Sequence, residues 1–280
     1  MKRFLTFSLC VVLLMSGLTY GYDKGPIVFP AKPRTGMYTP STTQEYELGT
    51  RCVTVDGRVF RYAKLGGAIT NARVDYGLYF ASGPRNKWYE HPSQGQSTGD
   101  MSITLPFDEA NSVLTDGNTV AKDELAGGYI VIYKDGVANQ CVRQITSNTA
   151  STEPNAYSVT VYLDAALPYD VVVADGVELI RNPWGDVRSM FADNKTATTM
   201  CGMPTVVAAS GTYTWVQTWG ICRVSLTEPG VLERSVYCAS NGSMCNRGDI
   251  GSGGNMDQII GVVILPGIYH SAFIMLQISP

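Results

Sequence analysis

Charge is scarce in this sequence: only 16 % of its 280 residues are Asp, Glu, Lys or Arg. That poverty excludes helical bundles, coiled coils and long solvated helices, which keep a charged face toward water. The 21 basic and 24 acidic residues leave a formal net charge of −3, so there is no broad basic field to hold a nucleic acid and no acidic tail. Histidine is rarer still, with His91 and His270 the only two. No CxxC pair accompanies them, so the spacing of a zinc site is missing. A nucleophile oriented by a histidine also finds no G-x-S-x-G elbow.

What the chain has in quantity is Gly (29), Pro (14) and Tyr (16), the composition of turn-rich β structure. Short alternating segments of strand length recur at 52–55, 58–64, 101–105, 129–134, 157–163, 169–174, 213–218, 259–265 and 272–278. Asp-Gly occurs four times, and Asp56-Gly57, Asp135-Gly136 and Asp175-Gly176 each lie between apolar runs. These three predict β-hairpins closed by type I′ turns, where glycine tolerates positive φ. The pattern predicts an all-β protein of antiparallel sandwich or barrel units; a short helix at 106–114 is its one helical expectation.

The front of the chain reads differently. Lys2 and Arg3 precede an apolar stretch from Phe4 to Leu18, too short for a comfortable membrane span and shaped like a secretory leader or an apolar arm over 1–21. Four prolines between Tyr22 and Glu45 deny this stretch a continuous ladder of donors. It predicts an extended arm over 22–48, suited to docking on a neighbouring subunit. Polar residues at 146–155 suggest a boundary between a first β domain (49–150) and a second (151–280). The segments 82–100 and 241–256 read as long surface loops. Without the leader's Cys10, six cysteines remain, an even number that permits disulfides, with Cys238 and Cys245 the one local pair; buried free thiols are the alternative.

Functional motifs are weak. Asp108-Glu109, Asp123-Glu124 and Glu228 sit in turn-like stretches and read as solvated acids rather than a hydrolytic pair. The glycine cluster 251–255 lacks the Lys-Ser/Thr of a phosphate loop. Arg247-Gly248-Asp249 is a three-residue match, and Asn194 and Asn241 head glycosylation patterns that mean something only in a glycosylating host. Tyr213, Trp215 and Trp219 share a strand phase; a buried structural hairpin is the reading, with a sugar platform as the alternative. No catalytic, cofactor-binding or metal-ligating residue is assigned.

Several blocks resemble an uncharacterised family of tailed-bacteriophage structural proteins. They are Leu48-Gly49-Thr50-Arg51 through Asp56-Gly57-Arg58-Val59-Phe60 to Arg61-Tyr62-Ala63; Ala126-Gly127-Gly128-Tyr129 to Tyr133; Asn182-Pro183-Trp184-Gly185-Asp186-Val187; Cys201-Gly202-Met203-Pro204; and Tyr213 to Cys222. The resemblance implies a non-enzymatic virion protein at the capsid surface, decorating or cementing it. Its partners would be the major capsid protein or copies of itself in a homo-oligomer, with no nucleic acid, small-molecule substrate or cofactor, and membrane contact only through a transient leader. The alternative is a secreted carbohydrate-binding, adhesive or fibre-forming β module.

Overall fold

The computed structural model describes residues 27–28, 36–70, 75–80, 87–106, 120–135, 140–151, 158–190, 199–226, 232, 234–238, 244–246, 258–267 and 271–279. The strands in chain order are β1 (Ile27–Val28), β2 (Arg51–Val53), β3 (Val59–Lys64), β4 (Leu78–Phe80), β5 (Lys87–Glu90), β6 (Ser102–Pro106), β7 (Tyr129–Tyr133), β8 (Gln140–Asn148) and β9 (Ser158–Leu163). There follow β10 (Gly176–Ile180), β11 (Val187–Ser189), β12 (Met200–Pro204), β13 (Tyr213–Ser225), β14 (Ser235–Cys238), β15 (Met244–Asn246), β16 (Ile259–Pro266) and β17 (Ser271–Gln277). The all-β expectation holds. Two curled, almost wholly antiparallel sheets account for every described strand, and no described helix is long and apolar enough to cross a membrane.

The sheets are not consecutive in sequence. The larger runs β1-β2-β3-β13-β17-β16-β14-β15, with β12 joining β13 to β4 and β4 pairing β11. The smaller runs β5-β10-β7-β8-β9-β6 and is drawn entirely from residues 87–180. The chain leaves the larger sheet after β4 and returns in β11, where Val187 lies opposite Phe80 and Ser189 opposite Leu78. The smaller sheet is thus an insertion between two neighbouring strands of the larger one. The boundary expected at 146–155 does not separate the sheets: it begins within the end of β8, which pairs with β9.

Each sheet has its own apolar interior. In the inserted sheet the strict alternation of Ile103/Leu105, Ile130/Ile132 and Val159/Val161/Leu163 puts these side chains on one face. Leu125, Leu167 and Val171 from the connections close over that face. The larger sheet is packed on both faces. Val224, Ile274, Leu276 and Val263 meet Met200, Met203 and Tyr79. On the opposite side Ala63 and Val216 pack with Leu78 and Val187; back on the first face, Phe60, Tyr62 and Trp215 lie beneath Met37, Tyr46 and Leu48.

That last contact bears on the arm expected over 22–48. Over 36–48 the segment lies on its own sheet: Ser41 and Tyr213 exchange backbone hydrogen bonds of 2.9 and 2.8 Å, and Thr205 Oγ1 donates to the Met37 carbonyl at 3.1 Å. β1 runs parallel to β2. The 1–21 leader and residues 22–26 and 29–35 of the arm lie outside the described residues.

Turn chemistry also differs in detail. The Asp56-Gly57 hairpin forms, but only Gly57 has positive φ (81°), Gly57 N–H donates to the Thr54 carbonyl at 2.9 Å and Thr54 N–H to Arg58 O at 2.9 Å. This is a three-residue loop whose glycine takes the left-handed position, not a two-residue type I′ turn. β7 and β8 pair as expected, and Gly136 with the rest of 136–139 between them lies outside the described residues. Asp175-Gly176 closes no hairpin: β10 pairs β7 and β5, and the expected strand 169–174 supplies one bridge, Val171 to Gln96. The expected loop 82–100 contains β5. In the expected helix 106–114, Pro106 ends β6 and the remainder lies outside the described residues.

Candidate functional site

The joint between the sheets is built around one short segment. Asn182 caps a 3₁₀ turn, Pro183–Gly185: its Oδ1 accepts from Trp184 N–H at 3.0 Å, and its Nδ2 donates to the Leu48 carbonyl of the larger sheet at 3.1 Å. Gly127, in the inserted segment, makes room for it. Its φ is +75°, and a β-carbon there would stand 2.6 Å from Asn182 Nδ2, so a side chain at 127 is opposed by both backbone and space. Trp184 packs edge-on against Phe80 with ring centroids 4.9 Å apart. One asparagine thereby ties the inserted sheet, the returning chain and the larger sheet together.

Beside this joint lies a cleft of about 470 Å³. Glu47, Lys64 and Tyr213 of the larger sheet face Asp123, Glu124 and Gln144 of the inserted one, with Arg181 and Asp186 from the returning chain. Blocks singled out in the sequence converge here: Leu48, Ala126-Gly127, Asn182, Gly185-Asp186 and Tyr213 all line it. Much of its charge is already engaged. Arg181 pairs with Glu124, whose other oxygen accepts from Ala121 N–H at 2.7 Å. Arg188 grips Asp186 through two bonds of 2.8 and 3.0 Å. Lys64 Nζ stands 5.8 Å from the Tyr213 ring centroid. Asp123 adopts a left-handed φ of 61°, the one non-glycine residue described with positive φ. The turn-like reading of Asp123-Glu124 holds, and both line the cleft.

The other residues weighed in the sequence do not assemble with it. His91 Nδ1 lies 2.9 Å from the carbonyl of Asp175. Asp175 is fully buried, with Oδ1 accepting from Asp135 N–H (2.8 Å), Oδ2 from Val172 N–H (2.8 Å), and Lys134 Nζ at 3.4 Å. Burial alone would raise its pKa, but the two backbone donors and the Lys134 ammonium outweigh it and hold the carboxyl below the usual range. Its role is to fasten the loops around 135 and 172. His270, Asp108-Glu109, Glu228, Arg247-Gly248-Asp249, the 251–255 glycines, Asn194 and Asn241 lie outside the described residues. Among the described residues no group of three His, Cys, Asp or Glu side chains is placed to hold a metal.

Trp215 is buried at 1 % exposure, against Tyr62 (5.2 Å) and Tyr46 (5.3 Å), so it is core and not a sugar platform. Trp219 is half-buried, because a bulge in the β13–β3 pairing between Gln217 and Trp219 changes the phase. Cys52, Cys141, Cys201 and Cys222 are unpaired thiols. Burial pushes Cys222 and Cys238 up to about 12, which suppresses the thiolate and with it nucleophilic reactivity. Cys238 lies opposite Met244 and Cys245 opposite Tyr237. The expected local bridge therefore joins residues one step out of register, with side chains on opposite faces of the ladder.

Sequence reasoning missed the two exposed apolar sheet faces. On the inserted sheet Ile180 pairs with Tyr129, and Val131 with Val142; Tyr129, Val142 and Ile180 are exposed. On the larger sheet Ile221, Phe273 and Leu265 are exposed, with Phe273 opposite Leu265 and Met275 between Ile221 and Val262. Strands apolar on both faces show little alternation, so periodicity alone does not reveal which face stays in water. Compared with protein-family models, curated proteins and solved structures, the chain matches none of them.

Proposed function

We propose that this protein is a non-enzymatic structural component of a bacteriophage particle, placed at the capsid surface and held there by contacts with the major capsid protein or with copies of itself. The observation that supports the reading most directly is the apolar outer face on each of its two sheets, carrying Tyr129, Val142 and Ile180 on one and Ile221, Phe273 and Leu265 on the other. Contiguous apolar patches of this kind mark protein contact surfaces. Aromatic and aliphatic side chains with few charges are the composition of an interface core. A molecule with two such faces can touch two neighbours, which is what cementing a shell requires.

The test is to purify particles from the source culture and measure the copy number of this chain by quantitative mass spectrometry. Density for it should then be sought at regular lattice positions by electron microscopy. A stoichiometry locked to the major capsid protein is expected. Recovery of the chain only as a free protein in the medium, with binding on a glycan array, would replace this reading by the secreted carbohydrate-binding one.

A further inference from the structure

Taking the assembly reading as its basis, the geometry points to the outer face of β13, β17 and β16 as a surface that pairs with the same face of a second copy of this chain. Ile221, Ile259, Ile264, Leu265 and Phe273 are between 41 % and 55 % exposed. They are neighbours by register: Ile221 faces Met275, which faces Val262; Phe273 lies between Arg223 and Leu265; and Ile259 lies opposite Tyr237. A bulge between Val263 and Leu265 turns Ile264 out beside Leu265.

Two arguments select a second copy. The first is area. At about 200 Å² for a large side chain, the five exposed residues present about 500 Å² of apolar surface, near the most that a monomer leaves uncovered. With the half-buried Trp219, Met275, Val262 and Tyr237 the face approaches the roughly 800 Å² a side of a stable interface. The second is charge. Arg223 is the one charged residue among the register neighbours named here, and it is already paired with Asp75 of its own chain. Among the five exposed residues and their direct register partners no charge is left unmet, so this part of the face offers a charged foreign partner nothing to complement. It is compatible with itself, since a two-fold axis sets every residue against its own kind of surface and an unpaired charge would meet its like. Two such faces stack as sheets do, about 10 Å apart.

The test is sedimentation of the full chain across a concentration series, beside Phe273→Glu and Ile221→Lys. The expected result is a concentration-dependent dimer whose dissociation constant weakens at least tenfold in either variant, with the circular dichroism spectrum unchanged. Should a variant fail to fold, a photo-crosslinker at position 265 of the otherwise native chain serves instead. It should give a covalent dimer with both attachment points on β13, β16 or β17. A monomer at every concentration, an unaffected dimer in folded variants, or crosslinks elsewhere in the chain would each overturn the proposal. A monomer that begins to associate only when residues 1–21 are deleted would show that the chain's own front covers the face. None of these results decides the capsid reading, which rests on the particle measurement: a monomer can still be found on particles, and a dimer can be missing from them.

Discussion

Among the described residues the indole of Trp215 is the largest fully buried side chain, and its Nε1 finds no hydrogen-bond partner there. Its worth is therefore packing against Tyr46 and Tyr62 and not polar contact. Trp215→Ala is expected to destabilise the protein by about 3–5 kcal/mol. Trp215→Phe, which keeps a ring and removes an unsatisfied donor, should cost much less, about 1 kcal/mol. Urea unfolding of both variants checks this; equal losses would mean that the indole N–H is satisfied after all. Asp175 acts by charge instead. Its folded pKa lies below that of the unfolded chain, so its stabilisation is complete above the unfolded value of about 3.9 and is lost as pH falls through the lower folded value. Asp175→Asn should cost about 1.5–3 kcal/mol at neutral pH. It should also flatten the acid side of the stability curve, read as urea midpoints taken from neutral pH downward. An unchanged acid slope would assign that limb to other carboxylates.

Among the elements, strands that bury a single face are legible from alternation, and those that bury two only where aromatic and β-branched residues mark them. β6, β7 and β9 alternate in the sequence and lie within a residue or so of their expected positions, whereas β3 and the start of β13, buried on both faces, are marked by aromatic bias instead. β12, Met-Cys-Gly-Met-Pro, is buried at every residue and carries a glycine and a proline, so nothing in its pattern announces a strand. β4 and β11, three residues each, are too short to show a period, yet their pairing defines the insertion. The Asp175-Gly176 pair misled because Asp-Gly reports a willing turn and not which strands flank it; here the aspartate's side chain, not the glycine, organises the loop. The junction was legible only as pieces, because Gly127, Asn182 and Leu48 meet through tertiary contact. Asn182→Ala removes the cap on Trp184 and the bond to Leu48, and should cost about 1–2 kcal/mol. Amide exchange should rise at Trp184 while the interior of the inserted sheet is unaffected. Gly127→Val should reproduce that pattern more strongly, since it adds strain at a positive φ to the clash with Asn182. Exchange that rises throughout β7 and β9 instead would mean that the two sheets unfold as one unit.

At the scale of the whole molecule, the topology separates two cores that share no residue. Every side chain of the inserted core lies between Ile103 and Leu179, and the cores of the larger sheet draw on residues up to Phe80 and from Trp184 onward. Because β4 and β11 are hydrogen-bonded neighbours, the chain's exit and re-entry points lie about one strand spacing, 4.8 Å, apart. A short linker can span that gap without distorting either strand, and inserted domains with close ends commonly fold alone. Fragment 87–180 should therefore fold independently, with a single cooperative urea transition and a stability of about 5–10 kcal/mol. The complementary chain, with residues 81–186 replaced by a few Gly and Ser, should keep the β3–β13–β17 ladder while losing the Asn182 joint and the cleft. The measurement is circular dichroism with urea unfolding on each piece, followed by hydrogen exchange to locate the protected strands. If fragment 87–180 shows no cooperative transition, its core is closed only in the presence of the larger sheet, and the molecule is one folding unit despite its two interiors.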